Sequence, residues 1–258
     1  MKNKLNRYFY LSILTLLSTI SLPSMSLSNE SRPKIQVVGE IWEPYQYPDA
    51  SDNPKGFAVE LVNKLLEKAN FKPQKVEFYP WVRAYKKALK NKNTLILSLS
   101  RIPERENQFI WIGKINSEFF EFYALKSNTR IQAANSLEEL YQYRIVVSKN
   151  SALDQYITKH NFPRVERTLN IDEGYQLLAR DRVDLMFKAP SAIEPELEFM
   201  GYSENDLKTI FTPQDSKNDF YLALSQGSSP VISDSLQKAF QALVDSGTVD
   251  ALKAKWGL

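Results

Sequence analysis

Apolar and polar positions follow two rhythms along the chain. In "GFAVELVNKLLEKAN" (56–70), Phe57, Leu61, Leu65 and Ala69 recur every four residues, with Val62 and Leu66 beside them. That spacing places them on one apolar face of a helix. "KIQVVGE" (34–40) and "KVEFY" (75–79) read as strands and "WVRAYKKALK" (81–90) as a helix. "TLILSLS" (94–100) is almost unbroken in its apolar character, as a strand buried on both faces should be. The order then repeats. "SEFFEFYAL" (117–125) reads as one long strand, and Ser136 with Glu139 has the spacing of a capping box. "RIVVS" (144–148) and "VDLMFK" (183–188) read as strands, "SALDQYITKH" (151–160) and "IDEGYQLLARDR" (171–182) as helices. "KTIFT" (208–212) and "DFYLALS" (219–225) are further strands, and helices near 230–245 and 247–255 close the chain, broken at Gly247. Such alternation predicts an α/β protein with parallel sheets and right-handed crossovers. There is no repeat and no Gly/Ser-rich linker. Two α/β units are therefore expected to be joined by strands running between them.

The N-terminus changes how the charge is read. Lys2, Lys4 and Arg7 precede an apolar stretch, Tyr8 to Leu22, that is interrupted by Ser12, Thr15, Ser18 and Thr19. It is shorter and more polar than a membrane span of about 20 apolar residues. Small residues follow Pro23, which predicts a secretory signal peptide over 1–28, cleaved after Ser28, and a soluble periplasmic product. With no cysteine after the apolar stretch, no lipid anchor is expected. Three of the 33 basic residues and none of the 30 acidic ones lie in 1–28, so the remainder carries 30 of each and no net charge. That argues against nucleic acid as a partner. The absence of cysteine removes disulfides, thiolate metal sites and cysteine nucleophiles together. His160 is the single histidine, at the polar end of a predicted helix, and is read as a surface residue. No metal and no cofactor is expected.

Five local patterns, in order, resemble the type II periplasmic solute-binding proteins, specifically solute-binding protein family 3 with its polar amino-acid receptors. They are "EIWEPYQY", "KGFAVELVNKLLEK", "FYPWVRAYKKAL", "SLSRIPERENQFIW" and "VDSGTVDALKAKWG". The resemblance implies a two-lobe type II periplasmic-binding-protein fold, each lobe a mainly parallel sheet flanked by helices, joined by two crossover strands. Lobe one would comprise 33–124 plus 221–258 and lobe two 125–220, hinged near Leu125 and Phe220. It also implies that Arg105 binds a ligand carboxylate, with Ser98 and Ser100 supplying hydroxyls at the strand end. Arg101 has no counterpart and is read as solvated. Trp42, Tyr45 and Trp81 would form a slot around the ligand body, Tyr45 reading equally as packing of its loop against lobe one, with Phe109 and Trp111 supporting the arginine loop and Trp256 in packing. Asn150 and Ser151 fall where family members meet the carboxylate at a helix N-terminus, although Ser151 also reads as a plain N-cap.

One position departs from the pattern. Amino-acid receptors carry an acid after the strand written here "VDLMFK", and Ala189 stands in its place, beside Lys188. A buried ammonium without a carboxylate costs several kcal/mol. Glu40, Glu43 or Glu194 could supply the acid from another direction. Otherwise the ligand is an organic acid or other anion, with Lys188 and Arg83 adding charge. The function expected is a monomeric receptor for a small carboxylate-bearing solute, serving an inner-membrane ABC permease. A sensory binding protein is the near alternative. A dehydratase-like enzyme, with Glu43 or Glu173 as general acid or base, is the rival from another class.

Overall fold

The structure is a computed structural model that describes residues 34–169, 171–199 and 201–258. The predicted signal peptide lies outside the described residues. Near the N-terminus β1 (Gln36–Gly39) leads into a loop and a small hairpin of β2 (Tyr47–Pro48) and β3 (Pro54–Lys55). Helix α1 (Phe57–Lys68) follows, and every apolar residue of its predicted face is buried. The helix has no side-chain cap. Its first N–H groups, those of Phe57 and Ala58, donate instead to the carbonyls of Pro44 and Tyr45, at 3.0 and 2.7 Å. Gly56 makes this possible: its φ is +117°, and a Cβ there would lie 2.5 Å from the Tyr45 carbonyl oxygen. The loop carrying Trp42 and Tyr45 is thereby tied to the helix.

β4 (Val76–Phe78), α2 (Trp81–Lys90) and β5 (Thr94–Ser100) complete the first βαβ succession. All seven residues of β5 are buried, as its apolar run predicts. The predicted strand 117–125 is two strands. β6 (Phe109–Phe119) belongs to the first sheet and β7 (Glu121–Leu125) to the second, with Phe120 between them. Alternation continues across the junction, so the pattern hides the change of sheet. Phe120 itself is buried, with Phe187 and Phe220 rings at 5.7 and 6.3 Å.

The second half runs β8 (Ile145–Ser148), α3 (Ala152–Lys159), β9 (Val165–Thr168), α4 (Ile171–Ala179), β10 (Leu185–Lys188), α5 (Ile193–Phe199) and β11 (Leu207–Phe211). β12 (Lys217–Ser225) returns to the first sheet before α6 (Pro230–Asp245) and α7 (Thr248–Trp256), with Gly247 at φ +71° separating the two helices. Ser136 and Glu139 form no capping box. The segment makes only a short turn, Glu138–Leu140, and the Glu139 carboxylate accepts from the N–H of Asn135.

The two sheets have the orders β4-β1-β5-β12-β6 and β11-β7-β10-β8-β9. Each contains three parallel strands, β4-β1-β5 and β10-β8-β9. β12 runs antiparallel to both its neighbours, β5 and β6, and β7 to both of its own, β10 and β11, so neither sheet is wholly parallel. Helix α6 packs closely on β6: a Cβ on Gly113 would fall 2.1 Å from the Phe240 ring. Contacts make Pro33–Leu258 one compact unit.

Candidate functional site

A cavity with about 620 Å³ of space, part of it open to solvent, lies between the two sheets. On the first-sheet side its wall begins at the end of β5. Pairing with β12 shifts there: Leu99 faces Tyr221 and Ile96 faces Ala223, so Leu97 and Ser98 together oppose one residue. Ser98 adopts φ +50° in this bulge, a left-handed conformation costly for a serine. Ser98 and Ser100 both line the cavity. The Ser98 hydroxyl donates to Gln46 Oε1 at 2.7 Å, and the Ser100 hydroxyl accepts from Asn218 Nδ2 at 2.9 Å.

Arg105 follows on the turn Pro103–Arg105 and is 1% exposed, although Glu104 and Glu106 beside it face water. Its Nη1 donates to the Ser100 carbonyl at 3.2 Å and its Nη2 to the Asn150 carbonyl at 3.3 Å. The guanidinium lies 5.0 Å from the Trp81 ring and 4.9 Å from the Tyr85 ring. Its Nε–H is buried and has no acceptor. Among the described residues no carboxylate lies within 4 Å of it. Desolvation pushes its pKa down from the ordinary value, opposed by Tyr85, Glu40 and Glu104. Arginine nevertheless stays charged in proteins. The guanidinium is thus held by two backbone carbonyls and two aromatic side chains.

Trp42 and Trp81 line the cavity. The Trp81 indole N–H donates to the Asn150 carbonyl at 3.2 Å. Asn150 takes part through its backbone: φ is +59°, its N–H donates to the Asp154 carboxylate, and its carbonyl receives both Trp81 and Arg105. Ser151 lines the cavity and is also an N-cap, its Oγ accepting the Asp154 N–H at 3.2 Å. Ala152 and Leu153, the first residues of α3, line the cavity behind it, which brings the unpaired N–H groups of a helix start to the wall. Lys188 lines it as well, its Nζ 5.5 Å from the Tyr175 ring.

Other predicted residues lie elsewhere. Tyr45 is wholly buried beneath the wall, its hydroxyl accepting from Asn116 Nδ2 at 2.6 Å and donating to Glu118 Oε1 at 2.5 Å. Burial, then the Glu118 charge, pushes its pKa far above the ordinary value. Arg83 is exposed, 4.7 Å from the Tyr79 ring. Glu43 is half-buried outside the cavity, hydrogen-bonded to Tyr47. Glu173 and Glu194 are exposed and outside it too, which leaves the dehydratase chemistry without its expected acid or base. Arg101 is exposed and paired with Glu106 at 2.5 Å. His160 ends α3, 3.1 Å from Asp215. Glu40 is the acid among the lining residues, and Phe120, Phe220, Ala189 and Ala192 supply apolar surface. Phe220 lies where the resemblance implies the second crossover, whereas Phe120 carries no sequence signal, because apolar alternation runs unbroken through the junction.

The fold is widely shared among solved structures. A histidine kinase sensor domain with similarity to periplasmic binding proteins has a TM-score of 0.74 at 18% identity, covering 87% of this chain and 96% of that one. An ancestral arginine-binding protein bound to arginine gives 0.73 at 18% identity, covering 86% and 97%. Two sheets flanked by helices around a cleft are the type II periplasmic-binding-protein arrangement. The arginine-binding extracellular protein ArtP of Bacillus subtilis (strain 168) is 25% identical over 251 residues, 92% of this chain and 93% of that protein. Residues 35–258 match the family described as bacterial extracellular solute-binding proteins, family 3, and the chain belongs to that family.

Proposed function

We propose that the protein is an exported periplasmic receptor, acting as a monomer, that captures a small carboxylate-bearing solute and delivers it to an inner-membrane ABC permease. The observation that carries this is Arg105, a cation 1% exposed at the cavity wall with no carboxylate beside it and an unmatched Nε–H. A carboxylate entering the cleft would take two parallel N–H bonds from the guanidinium, a geometry lysine lacks. Hydroxyls of Ser98 and Ser100 stand on the same wall, and Ser151 with the start of α3 on the other. The first sheet with its helices would form one lobe and the second sheet the other, changing over at Phe120 and near Lys217 rather than at Leu125 and Phe220. Closure of two such lobes would bury the solute.

Apolar Ala189, buried in the wall, offers nothing to an α-ammonium. If the solute is an amino acid, Glu40 is the carboxylate placed to meet its cationic group; if it is an organic acid, Glu40 faces a hydroxyl or water. Arginine and glutamate belong in the first panel of solutes alongside non-amino acids, since relatives bind amino acids. Isothermal titration calorimetry over that panel should find at least one carboxylate that binds. Arg105→Ala should weaken it by a factor of about 30 or more, as for truncation of a buried charge-assisted pair. No carboxylate binding, or binding unchanged in Arg105→Ala, would overturn the reading.

A further inference from the structure

Glu118 sits on β6, two residues before the chain leaves the first sheet, and its carboxylate gathers donors from both sides of the cleft. On the first-sheet side the Tyr45 hydroxyl donates to Oε1 at 2.5 Å, itself receiving Asn116 Nδ2 at 2.6 Å. From the second-sheet side the Ser191 hydroxyl donates to Oε1 at 2.8 Å and the Ser191 N–H to Oε2 at 3.1 Å. Ser191 lies in the turn Pro190–Ala192, between Ala189 and Ala192, both of which line the cavity. The crossing strands are tied beside it: Ser216 Oγ donates to the Phe120 carbonyl at 2.8 Å, and the Phe120 N–H donates to the Ser216 carbonyl at 3.4 Å. A rotation about Phe120 and Ser216 leaves the Tyr45–Glu118 bond intact and lengthens both bonds to Ser191. Contacts present in one arrangement and absent from the other are what set the balance between two states.

We infer that Glu118 is a positioning residue, which holds the Pro190–Ala192 turn, and with it the second wall of the cleft, in the closed arrangement before any solute arrives. The inference rests on the two-lobe reading above. Three donors fill three of the four lone-pair directions of the carboxylate, so the link is satisfied without help from a ligand. A receptor held this way binds by selecting a state it already populates, and its apparent affinity scales with that population.

The test needs no solute. The chain has no cysteine, so Lys86→Cys and Lys159→Cys, exposed on α2 and α3, give a unique pair of spin-label sites. Pulsed electron–electron resonance on the ligand-free protein should show one short, narrow distance. Adding Glu118→Gln removes the charge and replaces one of the two accepting oxygens by an NH2 that cannot accept, and should add a longer-distance population, lowering the closed-to-open ratio roughly tenfold. Ser191→Ala, which keeps the backbone N–H, should give a smaller shift of the same sign. It also provides the reading if Glu118→Gln does not fold by circular dichroism. A residue that merely stabilises the fold would lower the melting temperature of both variants and leave the distances alone; that result overturns the inference. So does a single long distance in the parent without solute. Because no ligand enters the measurement, failure to find a bound carboxylate leaves this outcome separate. If one is found, its Kd should rise in Glu118→Gln by the same factor as the closed population falls.

Discussion

Arg101 and Arg105 stand four residues apart in one charge-rich stretch and do opposite work. The Arg101 guanidinium reaches Glu106 through two N–H groups and lies 5.1 and 5.2 Å from the Trp111 and Tyr221 rings, at the surface. Exposed pairs of this kind contribute about 0.2–1 kcal/mol. Arg101→Gln should therefore change unfolding free energy by less than about 1 kcal/mol in urea and leave solute affinity within about twofold, which calorimetry would check. Arg105 differs through its surroundings alone. A proline-started turn and the aromatic side chains Trp81 and Tyr85 draw its guanidinium inward. Sequence alone offered both arginines on equal terms and only the family resemblance separated them. Burial depends on α2, which lies some twenty residues upstream and meets the turn only in the fold. Glu118 gave no signal at all, since its partners Tyr45 and Ser191 are 73 residues away on either side.

At the scale of elements, legibility followed burial. β5 and α2 were readable to the residue, the first because it is enclosed on both faces, the second because an amphipathic helix carries its own period. The first eight residues of β6 were not. β6 lies at the sheet edge, and its pairing with β12 slips twice, between Phe220 and Tyr221 and between Leu222 and Ala223. Its burial pattern then loses the period of two on which strand reading depends. Between neighbouring strands, Asp184 before β10 accepts from the side chain and N–H of Arg144 before β8, at 2.9–3.1 Å. Burial raises the Asp184 pKa, but Arg144 more than offsets this and holds it below the usual carboxylate range. With the folded value depressed, the stabilisation is present above the unfolded pKa near 3.9 and is lost as pH falls through the folded one. Asp184→Asn should thus cost about 1–2 kcal/mol at pH 7. That difference should shrink steadily below about pH 4, as urea melts across the pH range would show.

For the molecule as a whole, the absence of cysteine leaves stability to an ordinary apolar core, which runs continuously through both sheets and across Phe120, Phe187 and Phe220. No helix among the described residues is long and apolar enough to cross a membrane. A solute that binds only the folded protein must raise its melting temperature. At a hundred times Kd the gain is about 2.7 kcal/mol, or roughly 5–10 °C for a chain this size. Thermal-shift screening should show that rise for the same carboxylates that calorimetry finds, and about a third of it or less for them in Arg105→Ala. The carbonyl of Asn150 adds a condition to any such screen. It already occupies one side of the guanidinium and the Trp81 indole from across the gap. A carboxylate that took the same Nη2 hydrogen would arrive as a substitute, displacing an oxygen the polypeptide supplies from its own backbone. Selectivity would then be a contest between rival acceptors, and a weak acid that wins on charge alone would lose if it could not also satisfy the tryptophan it leaves bare.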